Sequence, residues 1–137
     1  MKTLLPLLLA AVCLPAAAQS MEPGEWQFTT TLTSSMAPGA QTSTFTECVS
    51  KADAADPTRF TGKDQTAGCQ VTPGERSPES YSWTVSCPAQ GMRGSGKVRF
   101  SYGTIESDMQ VSADMQGQKI EMRTRLTGRR LGPCTPK

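Results

Sequence analysis

From Val98 to Tyr102, and again from Ile105 to Leu126, side chains alternate between two kinds. Val98, Phe100, Tyr102, Ile105, Met109, Val111, Ala113, Met115, Ile120, Met122 and Leu126 fall on one side. Lys97, Arg99, Glu106, Asp108, Asp114, Lys119, Glu121, Arg123 and Arg125 fall on the other. A period of two marks strands with one dry face and one wet face. The chain therefore reads as an antiparallel β protein that shelters one side of a sheet.

The same alternation fixes expected partners. With Gly103-Thr104 as a two-residue loop, Tyr102 faces Ile105, Phe100 faces Ser107, Val98 faces Met109 and Arg99 faces Asp108. With Gln116-Gly117 as the next loop, Ala113 faces Ile120, Val111 faces Met122, Asp114 faces Lys119 and Asp108 faces Arg125. A slip of one residue would set apolar side chains against charges. Asp108 is thus expected between Arg99 and Arg125.

Earlier segments are less regular. Trp26, Phe28, Thr30 and Leu32 alternate with polar neighbours as a first strand, and Thr33 to Ala40 reads as a loop. Gln41 to Val49 is a threonine-rich second strand, whose Phe45 and Cys48 differ in parity and invite a bulge. Ser50 with Asp53 three residues on resembles a helix N-cap, giving one short helical turn near residues 50–56. Phe60 is expected to tuck the next stretch against the sheet, before a polar loop over residues 61–68. Gly91 to Gly96 suggests a bulged strand entry.

The sum is a single antiparallel meander of seven to eight strands in one domain, residues 19–137. A flat sheet would leave its apolar face wet. A strongly curved sheet or small lipocalin-like barrel follows. Gly24-Glu25-Trp26 with a late Arg129-Arg130 fits that picture, since an arginine over an indole can seal a barrel end.

Residues 1–18 read as a secretory signal peptide. Lys2 is followed by an apolar run from Leu4 to Leu14 and by Ala16-Ala17-Ala18 as the cleavage site. That run is too short to span a bilayer, so no stable membrane insertion is expected. Of five cysteines, Cys13 leaves with the signal, and Cys48, Cys69, Cys87 and Cys134 remain. In an exported chain an even count implies two disulfides, with three connectivities possible. Folding a hairpin about Pro78 sets Val71 against Val85, Pro73 against Trp83 and Cys69 against Cys87. Opposed Cβ atoms then lie near disulfide range. This favours Cys69–Cys87 and, by elimination, Cys48–Cys134.

The composition excludes much chemistry. There is no histidine for acid–base or metal work, and no CxxC pair for zinc. Glycines 91, 94 and 96 lack the strand–loop–helix context of a phosphate loop. Glu106 and Asp108 sit two apart on a wet face, as solvated surface residues do. Met109, Met115 and Met122 share the dry face and read as adaptable core filler or a soft pocket wall rather than copper ligands. A net charge of +2, with charges mixed along strands, gives no pull towards nucleic acid. The chain is expected not to be an enzyme and to hold no cofactor or metal.

The stretch Met21-Glu22-Pro23-Gly24-Glu25-Trp26 resembles the start of a family of small exported bacterial proteins known as a domain of unknown function, DUF3617. So do Glu47-Cys48-Val49 with Asp53 to Pro57, Ala67-Gly68-Cys69 with Val71, Trp83 to Cys87, Gly91 to Gly96, and the ending Gly128 to Cys134. The resemblance covers residues 21–134. It implies a periplasmic or secreted location and no particular reaction. The leading expectation is a β domain that binds a small apolar molecule in a barrel or cup, with Trp26, Trp83, Phe100, Tyr102, Met109 and Met122 facing the ligand or core. The alternative is a structural or protein-interaction component of the cell envelope with a packed interior.

Overall fold

The computed structural model describes residues 21–56 and 68–136. The expected signal peptide and Phe60 lie outside the described residues. Seven strands follow one another: β1 (Gly24–Ser34), β2 (Ala37–Val49), β3 (Gln70–Arg76), β4 (Ser80–Cys87), β5 (Met92–Ser101), β6 (Thr104–Met115) and β7 (Gln118–Gly132). A short helix, α1 (Lys51–Ala55), comes after β2. The strands form one sheet in the order β2-β1-β7-β6-β5-β4-β3. Every neighbouring pair is antiparallel.

The two edge strands, β2 and β3, are consecutive in the chain. Directions alternate across an odd number of strands, so β2 and β3 point the same way. Neighbours that run parallel need a crossover connection rather than a tight turn, and α1 begins that return. The seam itself is open. β2 is exposed from Ala37 to Thr46, and β3 is exposed at every position except the half-buried Val71. An open meander thus stands where a barrel was one of two expectations.

The β6–β7 register is as expected, with Ala113 opposite Ile120, Val111 opposite Met122 and Asp108 opposite Arg125. Gln116 and Gly117 both take positive φ, +55° and +81°, as a type I′ turn requires. The β3–β4 hairpin also matches, with Val71 opposite Val85 and Pro73 opposite Trp83.

The β5–β6 hairpin departs by two residues. Its turn is Tyr102-Gly103, not Gly103-Thr104, and Gly103 holds the positive φ of +70°. Phe100 therefore faces Ile105, Val98 faces Ser107, and Lys97 rather than Arg99 faces Asp108. A shift of two keeps every side chain on its own face, so alternation cannot detect it. Tyr102 consequently leaves the dry face and stands 94% exposed in the turn.

Of three irregularities expected from the sequence, one is smaller than expected and two are absent. The loop over Thr33 to Ala40 is a two-residue turn, Ser35-Met36. Ser35 donates its N–H to the Glu121 carbonyl at 2.8 Å, while its Oγ accepts the Glu121 N–H at 2.9 Å. These bonds carry β1 along β7 to its last residue. Pro38 and Gly39 fall where the β1–β2 register shifts, on an edge strand, where a missing N–H breaks no ladder. Nor is there a bulge between Phe45 and Cys48: the register runs unbroken from Val49 to Ala40, and Cys48 simply lies on the wet face. Gly91 to Gly96 carries no bulge either. A 3-10 turn, Pro88–Gln90, ends at Gly91, and β5 then pairs regularly with β4.

The core sits on the dry face. Trp26 and Phe28 of β1, Val49 of β2, Ala54 of α1, Tyr81 and Trp83 of β4, Val98 of β5 and Ile105 of β6 form one buried cluster with Met21. Two glycines make room for the rings. A Cβ on Gly96 would overlap the Trp83 indole, and one on Gly128 would lie 2.6 Å from Ile105 and 2.8 Å from Phe28. Burying each large ring contributes roughly 1.5–3 kcal/mol. α1 is too short to persist alone. Ser50 caps it, accepting the Asp53 N–H at 3.1 Å and donating to the Asp53 carboxylate at 2.8 Å.

Candidate functional site

The residues expected to face a ligand or the core divide between the packed core, its margin and one exposed turn. Trp26 and Trp83 are each only 1% exposed, inside the core cluster. Trp26 donates its Nε1–H to the Glu22 carbonyl at 2.8 Å and stacks with Phe28 at 6.2 Å. Trp83 stacks on Tyr81 at 5.8 Å, and among the described residues its Nε1–H has no acceptor. Phe100 packs half-buried against the cluster. Met109 and Met122 are half-buried on the dry face of β6 and β7. Tyr102 stands exposed in its turn, lining a shallow concavity with Phe100.

Both disulfides have the expected partners. Cys69 joins Cys87 with Cα atoms 4.4 Å apart, and Cys48 joins Cys134 at 5.5 Å. The second ties the chain end to the end of β2. Beside it Thr135 donates its hydroxyl to the Glu25 carboxylate at 2.7 Å. Arg130 lies opposite Trp26 on β7, where the seal was expected. Its Nε donates to the Pro23 carbonyl at 3.0 Å and lies 3.8 Å from the Glu22 carboxylate. The arginine therefore clamps the entry turn that also receives the Trp26 N–H.

The family model described as "Protein of unknown function (DUF3617)" matches residues 21–134. The chain belongs to the DUF3617 family. No curated protein and no solved structure matches it. The DUF3617 match runs from Met21 of the core to Cys134 of the second disulfide, so it takes in all seven strands.

One concavity of this DUF3617 domain opens mainly on the wet face. It is an open trough of about 1180 Å³ across several strands, lined by Thr72, Thr84, Arg93, Gln110, Ser112 and Arg123 among others. Sequence reading missed it because hydroxyl and amide side chains from five strands form no linear motif. Only the shape of the sheet collects them. Arg123 lies at its margin and is held by Asp108 through Nε (3.1 and 3.2 Å) and Nη2 (2.6 Å). Hydrogen bonding to Asp108, and then its charge, raises the Arg123 pKa above its ordinary value. Asp108 thus pairs diagonally with Arg123, although Lys97 and Arg125 are the residues directly opposite. Among the described residues no group of three or more histidine, cysteine or acidic side chains could hold a metal ion. No helix among them is long and apolar enough to cross a membrane.

Proposed function

We propose that this DUF3617 domain is a non-enzymatic component of the cell envelope, periplasmic or secreted, that works through its outer surface while its interior serves packing. The observation that carries this reading is the burial of Trp26, Trp83, Val98 and Ile105 to 0–1% exposure in one cluster. A carrier of apolar molecules needs a concave, apolar site that is free to be filled. Here the aromatic side chains best suited to such a site are engaged with one another and with Gly96 and Gly128.

Location outside the cytosol is supported by the two disulfides, which persist in oxidising compartments. The non-enzymatic reading is supported by the charge rows. Glu106 and Asp108 stand opposite Arg99 and Lys97, an arrangement that sets strand register rather than poising a proton donor. A second reading, a cup or small barrel for an apolar ligand, draws on the half-buried strip of Met109, Val111, Met122 and Leu126.

Native mass spectrometry of the protein purified from its own periplasm separates the two. The bare chain with two disulfides is expected. A small molecule retained in stoichiometric amount would overturn the packed-interior reading and favour the second.

A further inference from the structure

The two edges of the sheet are treated differently. β3 is short and carries Pro73, Gly74, Glu75 and Arg76, with its register broken between Pro73 and Arg76. Proline, charge and irregularity are the devices that stop an edge from recruiting another strand. β2 is longer, and from Ala40 to Thr46 it has no charge, no proline and no bulge. All of that segment is exposed. It is nevertheless a firmly built strand. Thr29 and Thr44 hydroxyls meet at 3.1 Å across β1 and β2, and those of Thr31 and Thr42 meet at 3.3 Å. Phe45 packs on Phe28 at 5.4 Å while remaining 45% exposed.

We propose that the outer edge of β2 pairs antiparallel with β2 of a second copy, about a two-fold axis through Ser43. An antiparallel strand is the partner that a two-fold axis generates, and such an interface closes on itself as a dimer. The guarded β3 edge denies the alternative of head-to-tail growth. The sequence of β2 is self-complementary in this register. Thr42 faces the partner's Thr44, so the Thr29–Thr44 rung continues into Thr42 and Thr31 of the second copy. Gln41 faces the partner's Phe45 on the other face. Glu47, the one charged residue of β2, lies four residues from the axis and so does not meet its own copy. No like charges are opposed. This pairing names the surface through which the proposed interaction function would act, and it rests on that reading.

Sedimentation equilibrium of the exported form between ~1 and ~100 µM tests it. A reversible dimer is expected. Ser43→Lys places two ammonium groups face to face on the axis and should weaken the dimer about tenfold or more. Ser43→Glu should do the same, and an equimolar mixture of the two variants should restore the dimer. Since Ser43 is exposed, both variants should melt as the unmodified protein does at concentrations where it is monomeric. In the unmodified protein, amide exchange within β2 should slow as concentration rises, a readout that needs no variant. A monomer throughout the range, a dimer indifferent to Ser43→Lys, or a mixture that stays monomeric would overturn the pairing. A β2 that instead captures a strand from another protein would overturn it too. A bare monomer leaves the packed interior standing, whereas a retained small molecule removes that reading itself.

Discussion

Gly96→Ala inverts the usual effect of replacing a strand glycine. A glycine inside a strand costs roughly 0.5–1 kcal/mol relative to alanine, because the unfolded chain has more freedom to lose. On that ground alone alanine should stabilise. At Gly96, however, the added methyl would occupy space held by the Cζ2, Cε2 and Cη2 atoms of Trp83. That ring cannot easily give way, being 1% exposed and stacked on Tyr81 at 5.8 Å. Overpacking a fixed core costs about 1–3 kcal/mol. With a rigid ring as the obstacle, the upper part of that range applies, and the net effect is a loss of about 1–2 kcal/mol. For a domain of this size the melting temperature should fall by about 5–10 °C. Thermal unfolding followed by circular dichroism reads the shift, and tryptophan emission should move to longer wavelength. In a Trp83→Leu background the obstacle is gone, and the same glycine change should become neutral or stabilising. A Gly96→Ala protein that melts at or above the unmodified temperature would refute the packing of Trp83 on β5.

Other perturbations follow from the same structure. Trp26→Ala should cost roughly 3–5 kcal/mol in urea unfolding, since the ring is buried and its N–H is satisfied. Trp83→Phe should cost much less than Trp83→Ala, because it also removes an indole N–H that lacks an acceptor among the described residues. Replacing Cys48 and Cys134 by alanine should cost about 4–5 kcal/mol, against about 3 for Cys69 and Cys87, because the closed loops span 86 and 18 residues. Arg123→Ala should leave the melting temperature nearly unchanged, as the ion pair with Asp108 is open to solvent.

What the sequence revealed divides along a physical line. Alternation reports faces, and faces were legible: Trp26, Trp83, Val98, Ile105 and Ile120 all lie on the dry side, with the charged rows on the wet side. Turn chemistry reports register only where it is unambiguous. Gln116-Gly117 has one good placement for a two-residue turn, and β6–β7 came out as expected. The neighbouring Tyr102-Gly103-Thr104 admits two turns one residue apart, whose registers differ by two, which alternation cannot separate. Tyr102 was misplaced for that reason. The disulfides were legible because Val71, Pro73 and Cys69 all found good partners in a single register. The trough and the contrast between the edges were not legible. Both depend on which strands end up side by side, and β1 against β7 brings together segments from opposite ends of the chain.

Both tryptophans of the chain sit in the core, so intrinsic fluorescence reports on the interior without a label. Emission should be blue-shifted, resist quenching by acrylamide, and stay unchanged as a long-chain fatty acid or another apolar probe is titrated in. Ready quenching, or a saturable change with an apolar probe, would contradict an interior filled by its own side chains.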